Sequence, residues 1–362
     1  MSLCYYSYNS SNIKFSPGRN EGNLMDQNAS TIENAITGSL NIIEQERERE
    51  IISRRFGLTG QKETLEQIGE LLNITRERVR QLEKAILVRL RIGAEEGQIS
   101  ELAAAEKLII RNLTELGRVA RTTDLAKRLY GKDEPTAAER AKLVFIASIS
   151  KALTAVDEND LYYSAIGIAE YGTAKDIEER VGEIVKVIKE NKSPMTLDQL
   201  DSALDYEHPD HIKAVASISK QLASLNGLWG LAKWPTVNPR NIRDKIFVVL
   251  EVKKEPMHFS DIAKAISASD FRRKNVTVQA IHNELIKDSR FVLIGRGIYA
   301  LDSWGYKRGT VADIITNILK EAGEPLTREE IVKRVLRARK VKETTVFEKV
   351  DRDSYKLAEK QA

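Results

Sequence analysis

A chain of 362 residues, 42% hydrophobic and 30% charged with a net charge of +4, fits a globular protein of two to four domains rather than a disordered one. A single cysteine, Cys4, excludes an internal disulfide framework and a cysteine-rich zinc site. So mild a net charge leaves any nucleic-acid signal to local patches.

Aromatic residues are sparse at 6%, and the abundance of Leu, Ile, Ala, Glu, Lys and Arg predicts a mainly α fold. The N-terminal MSLCYYSYNSSNIKFSPGRN has no apolar core after a basic start, so it is not a secretory signal. Residues 1–30 are predicted to form a polar, poorly ordered tail. No stretch reaches the roughly 18 apolar residues of a membrane span. A cytoplasmic protein without a membrane contact is expected.

The stretch TLEQIGELLNITRERVRQLEKAI (64–86) sets two helical patterns around a three-residue break. Thr64 caps the first helix and Gln67, three positions on, completes a capping box. Ile68, Leu71 and Leu72 supply that helix's buried stripe. Gly69 falls where two steeply crossing helices need a small residue, and Asn73 suits a left-handed turn. Thr75 caps the next helix.

In the second helix Val79, Leu82, Ile86 and Leu90 recur with helical spacing and face a core. At about 100° per residue the opposite face carries Glu77, Arg80, Gln81 and Lys84, with Arg76 and Arg78 on its flanks. From Thr75 to Arg91 six Arg or Lys residues stand against two Glu. Arg pairs bidentately with guanine, Gln with adenine, and Glu accepts from cytosine, so this face suits a major groove. A solvated basic surface is the plainer alternative. The caps, the small residue, the turn and the stripe together favour DNA reading.

RRFGLTGQKETLEQIGELLNITRERVRQLEKAILVRLR (54–91), with the preceding EQERERE and IISRRFGL, closely resembles the fourth conserved region of bacterial primary sigma factors. The resemblance implies recognition of a promoter −35 element and docking on the flap of the RNA polymerase β subunit. It implies base and phosphate contacts for Arg76, Glu77, Arg78, Arg80 and Gln81, and positions near the DNA backbone for Thr64 and Arg55. The sequence departs from that pattern in a shorter loop between Gly57 and Thr64 and in Ala85, where the family often has a basic residue. The aromatic-rich module with which a sigma factor grips core polymerase and melts DNA is found neither in residues 1–40 nor later. A complete, autonomous sigma factor is therefore not expected.

Downstream, one plan recurs four times. RVARTTDL (118–125), SPMTLDQL (193–200), EPMHFSDI (255–262) and EPLTREEI (324–331) each follow a helical stripe and precede a short amphipathic helix. Their closing residues Leu125, Leu200, Ile262 and Ile331 lie 75, 62 and 69 residues apart. ASISKAL (147–153) and ASISKQL (216–222) nearly coincide, and AIHNELI (280–286) holds the same place in the third copy. Repeats of this length indicate a string of small domains.

DLYYSAI (160–166), GLWGLAKW (227–234) and RFVLIGRGIYAL (290–301) read as strand pairs broken by turns. Three helices followed by a hairpin is the winged-helix plan. The third copy is similar to the HARE-HTH domain, known from the delta subunit of RNA polymerase in Gram-positive bacteria and from chromatin-associated proteins. Its mark is FVLIGRGIYAL, with Arg296 between Gly295 and Gly297 at the wing tip. That arginine suits a minor groove, although glycines also serve simply to make a tight, soluble turn.

Arg272, Arg273 and Lys274 form a basic cluster suited to phosphate. Asp157, Glu158 and Asp160 make protein the better partner for the first copy's hairpin. In the fourth copy FEKVDRDSYKL (347–357) aligns on FVLIGRGIYAL with Tyr355 on Tyr299, and the residues equivalent to 279–290, the third helix, are missing.

Catalytic chemistry is not evident. HPDH (208–211) reads as surface, no metal set is complete, no phosphate-binding glycine loop is present, and no cofactor is expected. The expected organisation is a tail (1–30), a sigma region 4-like helix-turn-helix (31–95) and winged-helix-like repeats at 101–172 and 174–236. A HARE-HTH-like copy (238–305) and a truncated repeat (308–362) follow. The expected function is a transcription factor that binds promoter-like duplex DNA through Arg55, Thr64, Thr75, Arg76, Glu77, Arg78, Arg80, Gln81 and Lys84 and contacts RNA polymerase. A polymerase-associated protein scaffold is the rival, and an enzyme a distant third.

Overall fold

The computed structural model describes residues 19–204, 209–269, 271, 275–309, 311–324, 326–338 and 354–355. The chain divides into two compact units, Met1–Ala232 and Lys233–Ala362.

The first unit opens with α1 (Arg19–Asn41), α2 (Glu46–Phe56), α3 (Leu65–Leu72) and α4 (Arg76–Glu95). Residues 19–30, expected in a disordered tail, therefore begin a helix, while the rest of that tail lies outside the described residues. The polar composition of α1 conceals a narrow stripe. Ile32, Ala35, Ile36 and Ser39 are buried, and Ser39 returns its hydroxyl to the Ala35 carbonyl at 2.6 Å. Small side chains at Ala35 and Ser39 let the helix sit close to its neighbours, which supply the stability its own propensity lacks.

The first copy follows as α5 (Leu102–Glu115), β1 (Val119–Arg121), α6 (Thr122–Tyr130), α7 (Ala137–Ile149), β2 (Leu153–Val156) and β3 (Ala165–Ile168). The second is α8 (Ala174–Asn191), β4 (Met195–Thr196), α9 (Leu197–Leu204), α10 (Pro209–Ile218), β5 (Leu222–Leu225) and β6 (Leu228–Leu231). The sheets run β1-β3-β2 and β4-β6-β5, all antiparallel, so the last strand of each copy is central.

One apolar core joins the helix-turn-helix to the first copy. Ile32, Ile52, Ile86, Leu90, Ile109, Leu129, Phe145 and Ile166 belong to it, so packing is continuous across residues 95–101, where a domain boundary was expected. Ile51, Ile68 and Val79 form a second, small core between α2, α3 and α4. The apolar stripe of α4 thus changes partner midway, with Val79 facing α3 and Ile86 and Leu90 facing the larger core.

The second unit holds α11 (Ile242–Lys253), β7 (Met257–His258), α12 (Phe259–Ala268), α13 (Val278–Lys287), β8 (Phe291–Leu293) and β9 (Ile298–Leu301), with sheet order β7-β9-β8. It continues with α14 (Val311–Ala322), β10 (Leu326–Thr327), α15 (Arg328–Ala338) and β11 (Ser354–Tyr355). The expected loss of a third helix here concerns residues 339–353, outside those described, as are Arg272, Arg273 and Lys274.

Strand register ties the four copies together. Ala120 pairs with Ile166, Met195 with Trp229, Met257 with Tyr299 and Leu326 with Tyr355. Each next rung follows suit: Arg121 with Ala165, Thr196 with Leu228, His258 with Ile298 and Thr327 with Ser354. The alignment of Tyr355 on Tyr299, drawn from sequence alone, is the alignment the ladders make.

Two hairpins differ from expectation. In copy one the strands lie earlier and later than DLYYSAI suggests, and 157–164 is a connecting loop in which the Asn159 Oδ1 accepts from the Leu161 and Tyr162 amides at 2.8 and 2.9 Å. Its backbone finds hydrogen-bond partners in copy two instead. In copy two GLWGLAKW contains only the second strand. Asn226 and Gly227, with φ of 51° and 79°, form the two-residue turn ahead of it, a combination that matches the natural twist of a hairpin. RFVLIGRGIYAL forms its strands where expected.

Candidate nucleic-acid interface

The helix-turn-helix is built as its local sequence dictates. The Thr64 hydroxyl accepts from the Gln67 amide at 3.2 Å while the Gln67 side chain accepts from the Thr64 amide at 2.8 Å. Asn73 turns left-handed at φ 54° and ψ 48°, which closes α3. Gly69 is required by the turn: a Cβ there would stand 2.7 Å from the Ile74 carbonyl oxygen. Thr75 caps α4 by accepting from the Arg78 amide at 3.2 Å. Leu71 is the exception to the expected stripe. It is 53% exposed, because α3 is short and buries only the side facing α2 and α4.

The outward face of α4 is polar and exposed at its N-terminal end, where Arg76, Glu77, Arg78, Arg80, Gln81 and Lys84 all face solvent. Arg80 is held by Glu77 through contacts of 2.7 and 2.9 Å, and Gln81 donates to the same carboxylate at 3.3 Å. The Arg80 guanidinium pulls the Glu77 carboxyl down to about 2, so that group is an acceptor at any physiological pH. Arg76 pairs loosely with Glu66 at 3.4 Å. Arg78 and Lys84 make no ion pair or side-chain hydrogen bond among the described residues.

Arg55 sits differently from these. It is largely buried against Glu83, at 3.1 and 3.2 Å, and donates to the Glu63 carbonyl at 3.2 Å. Its guanidinium ties the end of α2 to α4 and to the loop before α3. Thr64 and Thr75 spend their hydroxyl oxygens on capping, which leaves each O–H free to donate.

Residues 45–91 match the family Sigma-70, region 4. Within this region 4 match the chain is 52% identical over 46 residues to the RNA polymerase sigma factor SigA1 of Synechococcus elongatus and 50% identical over 46 residues to SigA of Nostoc. Each alignment covers 12% of this chain and 12% of the relative. SigA4 of Synechococcus elongatus is 44% identical over 52 residues, 14% of this chain and 17% of its own. The chain therefore spans about an eighth of the length of the first two relatives, and the region 4 likeness says nothing about the rest of either protein.

Behind the matched segment, the first copy packs its third helix and its loop 157–164 against other parts of the first unit. Leu143, Phe145, Ile146, Ala147 and Ile149 of α7, the third helix of copy one, are all buried, and α7 packs against α1, α2 and α4. Arg91 of α4 donates to the Ser148 carbonyl at 2.7 Å. The loop 157–164 lies on the end of α10: the Tyr163 amide donates to the Ile218 carbonyl at 2.9 Å and the Lys220 amide to the Leu161 carbonyl at 2.8 Å. Arg121 stacks 4.2 Å over the Tyr163 ring and donates to the Ser217 carbonyl. Glu158, one of the acidic residues noted from sequence, pairs with Lys220 at 2.9 Å.

His211, expected at the surface, is 7% exposed. Its Nδ1 lies 2.8 Å from the Gly117 carbonyl and its Nε2 2.9 Å from Arg180, so the ring bridges the two copies. With a carbonyl at Nδ1 and a guanidinium at Nε2, the geometry calls for the neutral ring with its proton on Nδ1. His208 lies outside the described residues.

In the third copy Arg296 is exposed at the wing tip. Gly297 has φ 69°, and a Cβ there would meet the His258 Nε2 at 2.5 Å, so the tip lies flat on the start of α12. Among the described residues no group of three or more His, Cys, Asp or Glu is placed to hold a metal ion, and no helix is long and apolar enough to cross a membrane.

Proposed function

We propose that this protein is a non-enzymatic, cytoplasmic transcription factor that docks on duplex DNA by inserting α4 into a major groove and adjusts initiation by contacting RNA polymerase. The observation that carries this reading is the exposed stripe Glu77, Arg80, Gln81 and Lys84, at the i, i+3, i+4, i+7 spacing of one helical face, on a capped helix within a region 4 match. Arg80 and Gln81 serve as base readers, Glu77 as an acceptor from cytosine, and Arg76, Arg78 and Lys84 as flanking cations for phosphates. The free O–H groups of Thr64 and Thr75 suit phosphate oxygens. Arg55 acts as a positioning residue for α4. The polymerase contact, through the β flap, rests on the likeness to sigma factors.

The four copies read as winged helices, the third of them of HARE-HTH type. Arg296 is assigned a wing contact to DNA because its side chain faces solvent. A second reading, a polymerase-associated protein scaffold, draws on the first copy, whose third helix and loop 157–164 are engaged in contacts within the chain.

Selection of duplexes from a random pool by the full chain, at several salt concentrations, tests the proposal. A selected motif, a steep salt dependence and a loss of about 1–3 kcal/mol of site discrimination in Arg80→Ala are expected. Retention of both affinity and preference by Arg80→Ala would sink the base-reading role. Polymerase capture without any duplex preference would favour the scaffold.

A further inference from the structure

The reading stripe of α4 does not end with its polar residues. One turn beyond Gln81 and Lys84, on the same side of the helix, stand Ala85 and Val88, both exposed, Val88 at 44%. Arg80, Gln81, Lys84, Ala85 and Val88 line one open concavity of about 520 Å3, whose floor passes from charged to aliphatic. Nothing in the fold of the described residues uses this aliphatic end: Ile86 and Leu90, which do pack, point the other way.

We propose that Ala85 and Val88 are specificity residues that seat thymine 5-methyl groups. The inference rests on the assignment of α4 to a major groove made above. In that groove the thymine methyl group is the one apolar substituent that projects from a base edge. An aliphatic side chain set against a base donor or acceptor desolvates that polar group without replacing its partner, which is unfavourable. Continuity with the polar readers places Val88 roughly 6 Å further along the helix axis than Lys84. The recognition site therefore has two parts: a segment read by hydrogen bonds through Arg80 and Gln81, and an adjoining segment where thymine is preferred for its methyl group.

The test uses the full chain and the duplex it selects. Each thymine of that duplex is replaced singly by deoxyuridine, which removes the methyl and keeps the pairing edge. At one or two neighbouring thymines, on one side of the site, wild-type binding should weaken roughly fourfold, the worth of one methyl group taken out of water. Val88→Ala, an exposed change that leaves the core intact, should bind the thymine and deoxyuridine forms of its site equally. Selective binding in which no methyl matters, or in which Val88→Ala keeps the wild-type deoxyuridine profile, overturns this inference and leaves the groove assignment standing. If Val88→Ala instead weakens polymerase capture with an unchanged deoxyuridine profile, the stripe belongs to a protein and the inference fails. Absence of any duplex preference removes the groove assignment and this inference together.

Discussion

Phe56, the last residue of α2, meets Phe145 of α7 edge-on, with ring centroids 5.1 Å apart and planes at 77°. Phe145 is fully buried, and it comes from the third helix of the first repeat. The contact is where the helix-turn-helix and the repeat behind it become one body. Truncating Phe145 to alanine removes most of a large buried ring, and a cost of about 3–5 kcal/mol is expected. Denaturant unfolding of the full chain should show it as a lower midpoint for the first unit. Retained stability would mean that the two modules do not share a core.

Two glycines in helices should respond to alanine with opposite signs. At Gly69 the new Cβ would lie 2.7 Å from the Ile74 carbonyl, a backbone atom that cannot swing aside. The strain, about 1–3 kcal/mol, should outweigh the roughly 1 kcal/mol of helix propensity that alanine brings. Gly182 sits exposed in the middle of α8 with nothing within 4 Å of its virtual Cβ, so Gly182→Ala should stabilise by about 0.5–1 kcal/mol. Midpoint shifts of the two variants, measured side by side, check both signs.

Asp288 ends α13 and receives the Arg290 guanidinium at 2.8 to 3.2 Å, and Arg290 also reaches Asp244 at 3.3 Å. The Arg290 guanidinium holds the Asp288 carboxyl below its usual range. A lowered carboxyl value contributes stability that is complete above the unfolded value, about 3.9, and fades as pH falls through the folded one. Asp288→Asn should therefore cost about 1–3 kcal/mol at pH 7, and its gap from wild type should narrow at pH 3. An equal gap at both pH values, read from urea unfolding of the second unit, would show that the carboxylate charge is not what matters.

The parts of the fold that sequence discloses are those whose causes lie within a few residues of one another. Thr64 and Gln67, Thr75 and Arg78, and Asn73 after Gly69 lie three or four residues apart, and each stands as its spacing requires. The recurrence of the repeats is equally plain because register copies itself from Met195 to Met257 to Leu326. What escaped notice depends on distant partners. Tyr163 and Leu161 look like strand residues, yet they bond the end of α10 more than fifty residues on. His211 looks like a loop histidine until Gly117 and Arg180 are brought to it. The face of α4 that is read from sequence as addressing a generic core turns out to address two cores, one of them supplied from beyond residue 100. Ala85 stands out in the sequence only as a departure from a basic pattern, and Val88 not at all, because exposure on a helix face depends on what the rest of the chain covers.

The joint between α4 and α7, followed by the clasp of loop 157–164 on α10, ties α4 to the second copy through a chain of direct contacts. On the proposed docking of α4 in a groove, rotational phase on the double helix would be set by the chain itself. Whatever engages copy two while α4 occupies a groove approaches the duplex from one compass bearing. Separating two cooperating sites by roughly half a turn of B-DNA would place that bearing on the wrong side, and a full turn of about 10.5 bp would restore it.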